Sequence, residues 1–230
     1  MHFPAPSVMP HRHLVFDVNE TLLDLAPLDS VFESLFGSAA VRQQWFENLL
    51  HWSTITTLTG EFRDFTQLAD ACLEALAGDK PLARSDKDRV FDAIATLAPH
   101  PEVSDALTLL REHGFKLVAL TNSAQKTVDQ QFAHAGLTPL FDHVLSVDHA
   151  RKYKPHPAAY AVAANALDCD LFALRLIAAH DWDVTGAIRA GCAGAFVARD
   201  GAVMNPVGEV PDIVGTDLAD VAQRIIEHDG

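Results

Sequence analysis

His13-Leu14-Val15-Phe16-Asp17-Val18-Asn19-Glu20-Thr21-Leu22-Leu23-Asp24 is the stretch on which the reading of this chain turns. A short apolar run with β-branched and aromatic residues, bounded by polar ones, reads as a buried strand. It stops at a carboxylate. In an open parallel α/β sheet, ligands bind beyond the carboxyl ends of the strands. Asp17 therefore stands where a cleft is expected, with Asn19 and Thr21 directly after it. A carboxylate there can serve as nucleophile, as acid or base, or as metal ligand. Capping of the next segment is the plainer alternative.

Downstream the pattern changes. From Leu25 to Ala98 apolar residues recur at helical spacing: Val31, Leu35 and Phe36, then Val41, Trp45, Phe46 and Leu49, then Phe65, Leu68, Cys72 and Leu76. After a break at Gly78–Pro81 the spacing predicts a further helix over Ser85–Leu97, with Ser85 as N-cap. From Pro99 strands and helices alternate. Phe115–Leu120, Val144–Val147, Leu174–Ala179 and Ala195–Ala198 read as strands. Helices are expected over Glu102–His113, up to His134, over Ala158–Leu167 and over Val184–Ala190, with glycines at 114, 136 and 191 as stops. Such alternation means βαβ units and a parallel sheet. The expected fold is α/β: a doubly wound, Rossmann-like core of residues 12–25 and 99–230, with a helical cap of residues 26–98 inserted after the first strand.

On this fold four strand ends carry polar groups: Asp17, then Thr121-Asn122-Ser123, then Lys154, then Asp183. Singly, each is more simply a helix cap or a surface residue. Together, in this order along the edge where strands end, they are expected to meet in one cleft.

The whole chain narrows the function classes. Its 230 residues carry a formal net charge of −14, which argues against nucleic acid or an anionic membrane as partner. Apolar residues make up 49% and charged ones 21%, a globular composition, and no run is long enough to span a bilayer. Cys72, Cys169 and Cys192 fit buried, reduced thiols and no metal spacing. Met1–Arg12, with three prolines and no apolar stretch, reads as a loose tail rather than a signal or anchor, so a cytoplasmic location is expected.

The motifs Phe16-Asp17-Val18-Asn19-Glu20-Thr21-Leu22, Leu120-Thr121-Asn122, Lys154-Pro155 and Trp182-Asp183 together resemble the haloacid dehalogenase superfamily of hydrolases, over essentially the whole chain. Two positions bear on the branch. Superfamily phosphatases have a general-acid Asp two residues after the nucleophile, where this chain has Asn19, which cannot give and recover a proton. Ala179 stands where a second magnesium-binding carboxylate is usual, leaving few oxygen ligands for a hard cation. The remaining features, including Tyr160 and Thr185-Gly186-Ala187, look like the metal-free L-2-haloacid dehalogenase (type II) branch.

The resemblance implies that Asp17 displaces halide from a short 2-haloacid and becomes an aspartyl ester, which water then hydrolyses without cofactor or metal. Asp183 would activate that water and Lys154 would hold Asp17 ionised. Thr21, Thr121 and Asn122 would donate hydrogen bonds, and Asn19, Phe46, Phe65, Tyr160, His180 and Trp182 would line the substrate site. Three departures from the branch stand out. Phe46 occupies the place of a halide-receiving arginine, with Arg42 one helical turn earlier expected to be simply solvated; Asn19 replaces a bulkier residue; and Ala178 and His180 replace a serine and an asparagine. His180 is expected either to donate near the ester or to support Asp183 as a neutral histidine. The alternatives are a magnesium-dependent phosphatase of small esters and an idle binding module that kept the fold. The cap helices are expected either to bury an apolar face in a homodimer or to turn Trp45 and Trp52 into the core.

Overall fold

A computed structural model describes residues 11–230, so the expected tail lies, up to residue 10, outside the described residues. Strand β1 (His13–Phe16) is the hinge of the architecture. It pairs in parallel with β2 (Lys116–Thr121) on one side and β4 (Leu174–Ala178) on the other. With β3 (His143–Ser146), β5 (Ala193–Val197) and β6 (Ile213–Gly215), the order across the sheet is β3-β2-β1-β4-β5-β6. The chain thus winds outward in both directions from β1, and the reversal between β1 and β4 opens a crevice at their carboxyl ends. Leu14, Val15 and Phe16 are buried, as a strand covered on both faces requires.

Helices α1 (Leu28–Phe36), α2 (Ala40–Thr59), α3 (Phe65–Ala77) and α4 (Arg84–Ala95) form the insert after β1. Its two connections are stitched side by side: Asp24 N–H donates to Ala98 O (2.9 Å) and His100 N–H to Leu22 O (3.0 Å). Trp45 turns inward, packing on Phe32 and donating from Nε1 to Ala69 O (3.0 Å), whereas Trp52 is 51% exposed. Around the sheet lie α5 (Val103–Glu112), α6 (Gln125–Ala135), α7 (Pro157–Ala166), α8 (Asp181–Ala190) and α9 (Leu218–Asp229).

Several details differ from the sequence reading. Strand β6 and helix α9 were not anticipated, and β5 starts at Ala193. The N-cap of α4 is Ala83, so Ser85 sits inside the helix without a capping bond. Helix α8 begins at Asp181, which puts Asp183 in its first turn rather than on the strand end. Cys169 is only half-buried, while Cys72 and Cys192 are buried; all three thiols are free. Among the described residues no helix is long and apolar enough to cross a membrane.

Candidate active site

Asp17 leaves the end of β1 with its backbone N–H still donating to Ile177 O of β4 (3.0 Å), which aims its carboxylate into the crevice. Oδ1 accepts from Lys154 Nζ (2.9 Å) and Oδ2 from Thr21 Oγ1 (2.7 Å). Thr21 Oγ1 in turn accepts from the Ala179 N–H (2.9 Å), tying the loop after β1 to the end of β4. Lys154, 1% exposed, also donates to Asp183 Oδ2 (2.8 Å), and Tyr160 Oη donates to Asp183 Oδ1 (2.7 Å). Asn122 holds the Lys154 loop through Oδ1, which accepts from the Lys154 N–H (3.0 Å). Its amide nitrogen has no protein acceptor among the described residues. Gly186 on α8 lets this loop and Tyr160 press against the helix: a Cβ there would meet Pro155 Cβ, and Tyr160 Oη at 2.6 Å.

The fourth group on Asp17 is His180. Its Nδ1 lies 3.1 Å from Asp17 Oδ2 and its Nε2 2.9 Å from Glu20 Oε2, so the ring bridges two carboxylates. Burial disfavours the imidazolium, but the hydrogen bonds and charges of Asp17 and Glu20 outweigh it and push the pKa up to about 10. His180 is therefore protonated at neutral pH, and it serves Asp17 rather than Asp183, contrary to the reading of a neutral support for Asp183. Burial alone would raise Asp17, but Lys154 and His180 hold its carboxyl well below the usual range. Lys154 stays charged: burial disfavours its ammonium, and Asp17 and Asp183 more than compensate. Burial raises Asp183, with Lys154 opposing and Asp17 adding to the shift. A buried charge without partners is costly, and here each carboxylate has a cation against it.

The structure brings most of the expected residues together and reassigns several. Asp17, Asn19, Phe46, Phe65, Thr121, Asn122, His180 and Trp182 all border one small pocket. Tyr160 does not: it is fully buried behind Asp183, so it positions that carboxylate instead of touching substrate. Asp183 is likewise fully buried and faces Lys154 and Tyr160, away from the pocket where a water would be activated. Thr121 Oγ1 accepts from the Ser123 N–H (3.1 Å), and Asn19 donates to Ser123 Oγ (3.1 Å). Arg42 is not solvated: it pairs with Asp29 (2.6 Å) and Glu20 (3.2 Å), so no guanidinium takes the place that Phe46 leaves apolar. Sequence reasoning passed over Glu20, although it stands in the decisive stretch; nothing local marks a contact with a histidine so distant in the chain. His180 stacks on Trp182 at 5.3 Å between ring centres, and Phe46 lies tilted against the His180 ring at 6.1 Å.

The model of the haloacid dehalogenase-like hydrolase family matches residues 11–191. The chain belongs to that family. Among curated relatives, an (S)-2-haloacid dehalogenase from Pseudomonas sp. (strain YL) is 30% identical over 92% of this chain and 93% of its own. A haloacetate dehalogenase H-2 from Moraxella sp. (strain B) is 27% identical over 86% and 91%. An L-2-haloacid dehalogenase from Xanthobacter autotrophicus, solved with chloropropionic acid covalently bound, superposes with a TM-score of 0.86 at 26% identity, covering 93% of this chain and 98% of its own. The family is one of hydrolases, and the Asp17 cluster lies within the matched residues.

Proposed function

We propose that this protein hydrolyses the carbon–halogen bond of short 2-haloacids, with Asp17 as nucleophile. The observation that carries the reading is the Asp17 carboxylate itself, held ionised by Lys154, Thr21 and His180 and facing a pocket walled by Phe46, Phe65 and Trp182. A fixed, desolvated carboxylate against an apolar wall suits displacement at carbon. It attacks C2, halide leaves, and an aspartyl ester remains. Water then adds to the Asp17 carboxyl carbon and regenerates the enzyme with a 2-hydroxy acid as product. The free amide of Asn122 is suited to receive the substrate carboxylate.

Ester formation removes one of the two negative charges that keep His180 protonated. Burial then favours the neutral ring: the Nδ1 proton is released to solvent through the cleft that His180 borders, the Nε2–H stays on Glu20, and the freed Nδ1 is placed to take a proton from the attacking water. Asp183 and Tyr160 act behind Lys154 and keep its ammonium in line. Asp17 Oδ2 already meets Thr21 and His180, and Ala179 brings no second carboxylate beside it, a donor set too poor in free oxygens for magnesium, which favours this reading over a phosphatase. The inserted helices contribute Phe46, Leu50 and Phe65 to the pocket and serve as its cap over the sheet edge.

The test is halide release from L-2-chloropropionate, with and without EDTA, against the Asp17→Asn variant. Release that survives EDTA and vanishes in Asp17→Asn supports the mechanism. No release above that variant overturns it.

A further inference from the structure

Three spaces meet at the seam between the inserted helices and the sheet. The pocket against Asp17 has a volume of about 20 Å³, room for one water-sized group. On one side lies a cavity of about 430 Å³ whose inner wall is the apolar Leu28, Trp45, Leu49, Ile94 and Leu97 and whose outer rim carries Asp92, Lys126 and Gln130. On the other a cleft of about 700 Å³ carries Arg42, His51, Lys154 and His180. Among the described residues Phe46 alone borders all three. Asn19 and Phe65 separate the pocket from the apolar cavity; Leu50, His180 and Trp182 separate it from the cleft. Asn19 is fixed by Ser123 and Gln131, and His180 by Asp17 and Glu20, whereas Phe46 has only ring contacts to Trp45 and His180.

A haloacid is bulkier than a water, so its bound form must borrow room from a neighbour. The anionic end is matched by the Asn122 amide, which borders the pocket beside Asp17. An alkyl tail at C2 is matched by the apolar cavity, and Phe46 stands across that passage.

We infer that Phe46 is the residue that sets substrate chain length: with Asn19 and Phe65 its ring separates the Asp17 pocket from the apolar wall of the cavity and keeps longer alkyl tails out of it. The inference rests on the dehalogenase reading for its substrate, and on the three bordering spaces for its location. In a filled apolar pocket one methylene changes the specificity constant by about ten- to two-hundredfold.

The experiment measures kcat/KM for halide release from 2-chloro acids of two to six carbons, in the wild type, Phe46→Ala and the milder Phe46→Leu. In parallel, binding of unhalogenated propanoate and hexanoate is followed by titration NMR. The wild type is expected to lose at least about tenfold beyond three carbons. Phe46→Ala should raise the six-to-two-carbon ratio by about tenfold or more, Phe46→Leu by less, and the hexanoate-to-propanoate binding ratio should rise in step. Leu50→Ala, which opens the pocket toward the charged cleft, should not reproduce the change. Unchanged ratios in both Phe46 variants, an equal effect of Leu50→Ala, or no binding of either alkanoate would overturn the inference. Absence of halide release from every acid in the wild type would instead refute the dehalogenase reading. The binding ratio would then still decide for or against Phe46.

Discussion

His180 shows how much a single residue owes to its two neighbours. With Asp17 on Nδ1 and Glu20 on Nε2, its proton is retained to about pH 10. In the free enzyme, loss of that proton would break the bridge that holds the nucleophile, so kcat/KM is expected to fall on an alkaline limb near that value. Glu20→Gln removes one charge-assisted hydrogen bond, worth about 1.5–3 kcal/mol, and should move the limb down by roughly one to two pH units. The pH profile of kcat/KM for the two proteins checks this; coincident limbs would mean that Glu20 does not support the imidazolium. The sign also extends to stability. His180 has a folded pKa above its unfolded one, so its stabilisation is full below about pH 6.5 and is lost as pH rises toward 10. At this scale Asp17 was legible in the sequence because a strand end projects its side chain in a known direction, whereas Lys154 lies in a loop well past the end of β3 and was legible only through the Lys154-Pro155 motif. Glu20 and Arg42 were not, because their partners are decided by how α2 lies over the loop after β1 and not by any spacing along the chain.

At the level of elements, helix α8 organises the site more than any strand does. Its first turn carries Asp183, and one turn later Gly186 gives Pro155 and Tyr160 room to close on Lys154. Gly186→Ala places a methyl group into Pro155 and the Tyr160 hydroxyl, and neither can retreat without shifting the Lys154 ammonium or the Asp183 carboxylate. Overpacking of this kind costs about 1–3 kcal/mol. In a chain of this size each kcal/mol lowers Tm by about 2–4 °C. The larger expected effect is on turnover, a fall in kcat of about tenfold or more from misplaced catalytic groups. Thermal unfolding and kcat measured on the same sample check both, and unaltered kcat would show that the loop yields without moving Lys154. The elements themselves were read with uneven success. Apolar runs revealed β1, β2 and β4, and the helical spacing of 25–98 revealed helical structure where α1 to α4 lie. Helix α9 carries an equally clear buried stripe of Leu218, Val221, Ala222 and Ile225 behind the Asp217 cap. Strand β6 is three residues long and offers no period to read.

Across the whole molecule, the ends of the sheet are held by two different ionic clusters. The carboxyl ends carry the Asp17 site. Toward the amino ends lies Arg175, fully buried in β4 inside an apolar run that gave no hint of its partners. It donates to Asp229 of α9 (2.7 Å) and by two bonds to Asp212 ahead of β6 (2.5 and 2.9 Å), and so fastens the last strand and last helix to the core. Asp229→Leu removes one charge-assisted hydrogen bond while Asp212 still faces Arg175, at about 1.5–3 kcal/mol. It is therefore expected to lower Tm by roughly 3–12 °C. The Asp229 carboxyl is held low by His11, Arg175 and His228 against the opposing effect of burial. Its contribution is thus present above the ordinary carboxylate pKa and lost as pH falls below about 4. Acid unfolding of the wild type should steepen there, and that of Asp229→Leu should not. Since the cluster sits at the far end of β4 from Asp17, kcat of the folded variant at 25 °C should stay within about twofold of wild type, because distant sites with no shared partners act additively. Melting curves from pH 3 to 8 together with kcat decide it: a parallel loss of turnover and stability would mean that the two ends of the sheet are not independent.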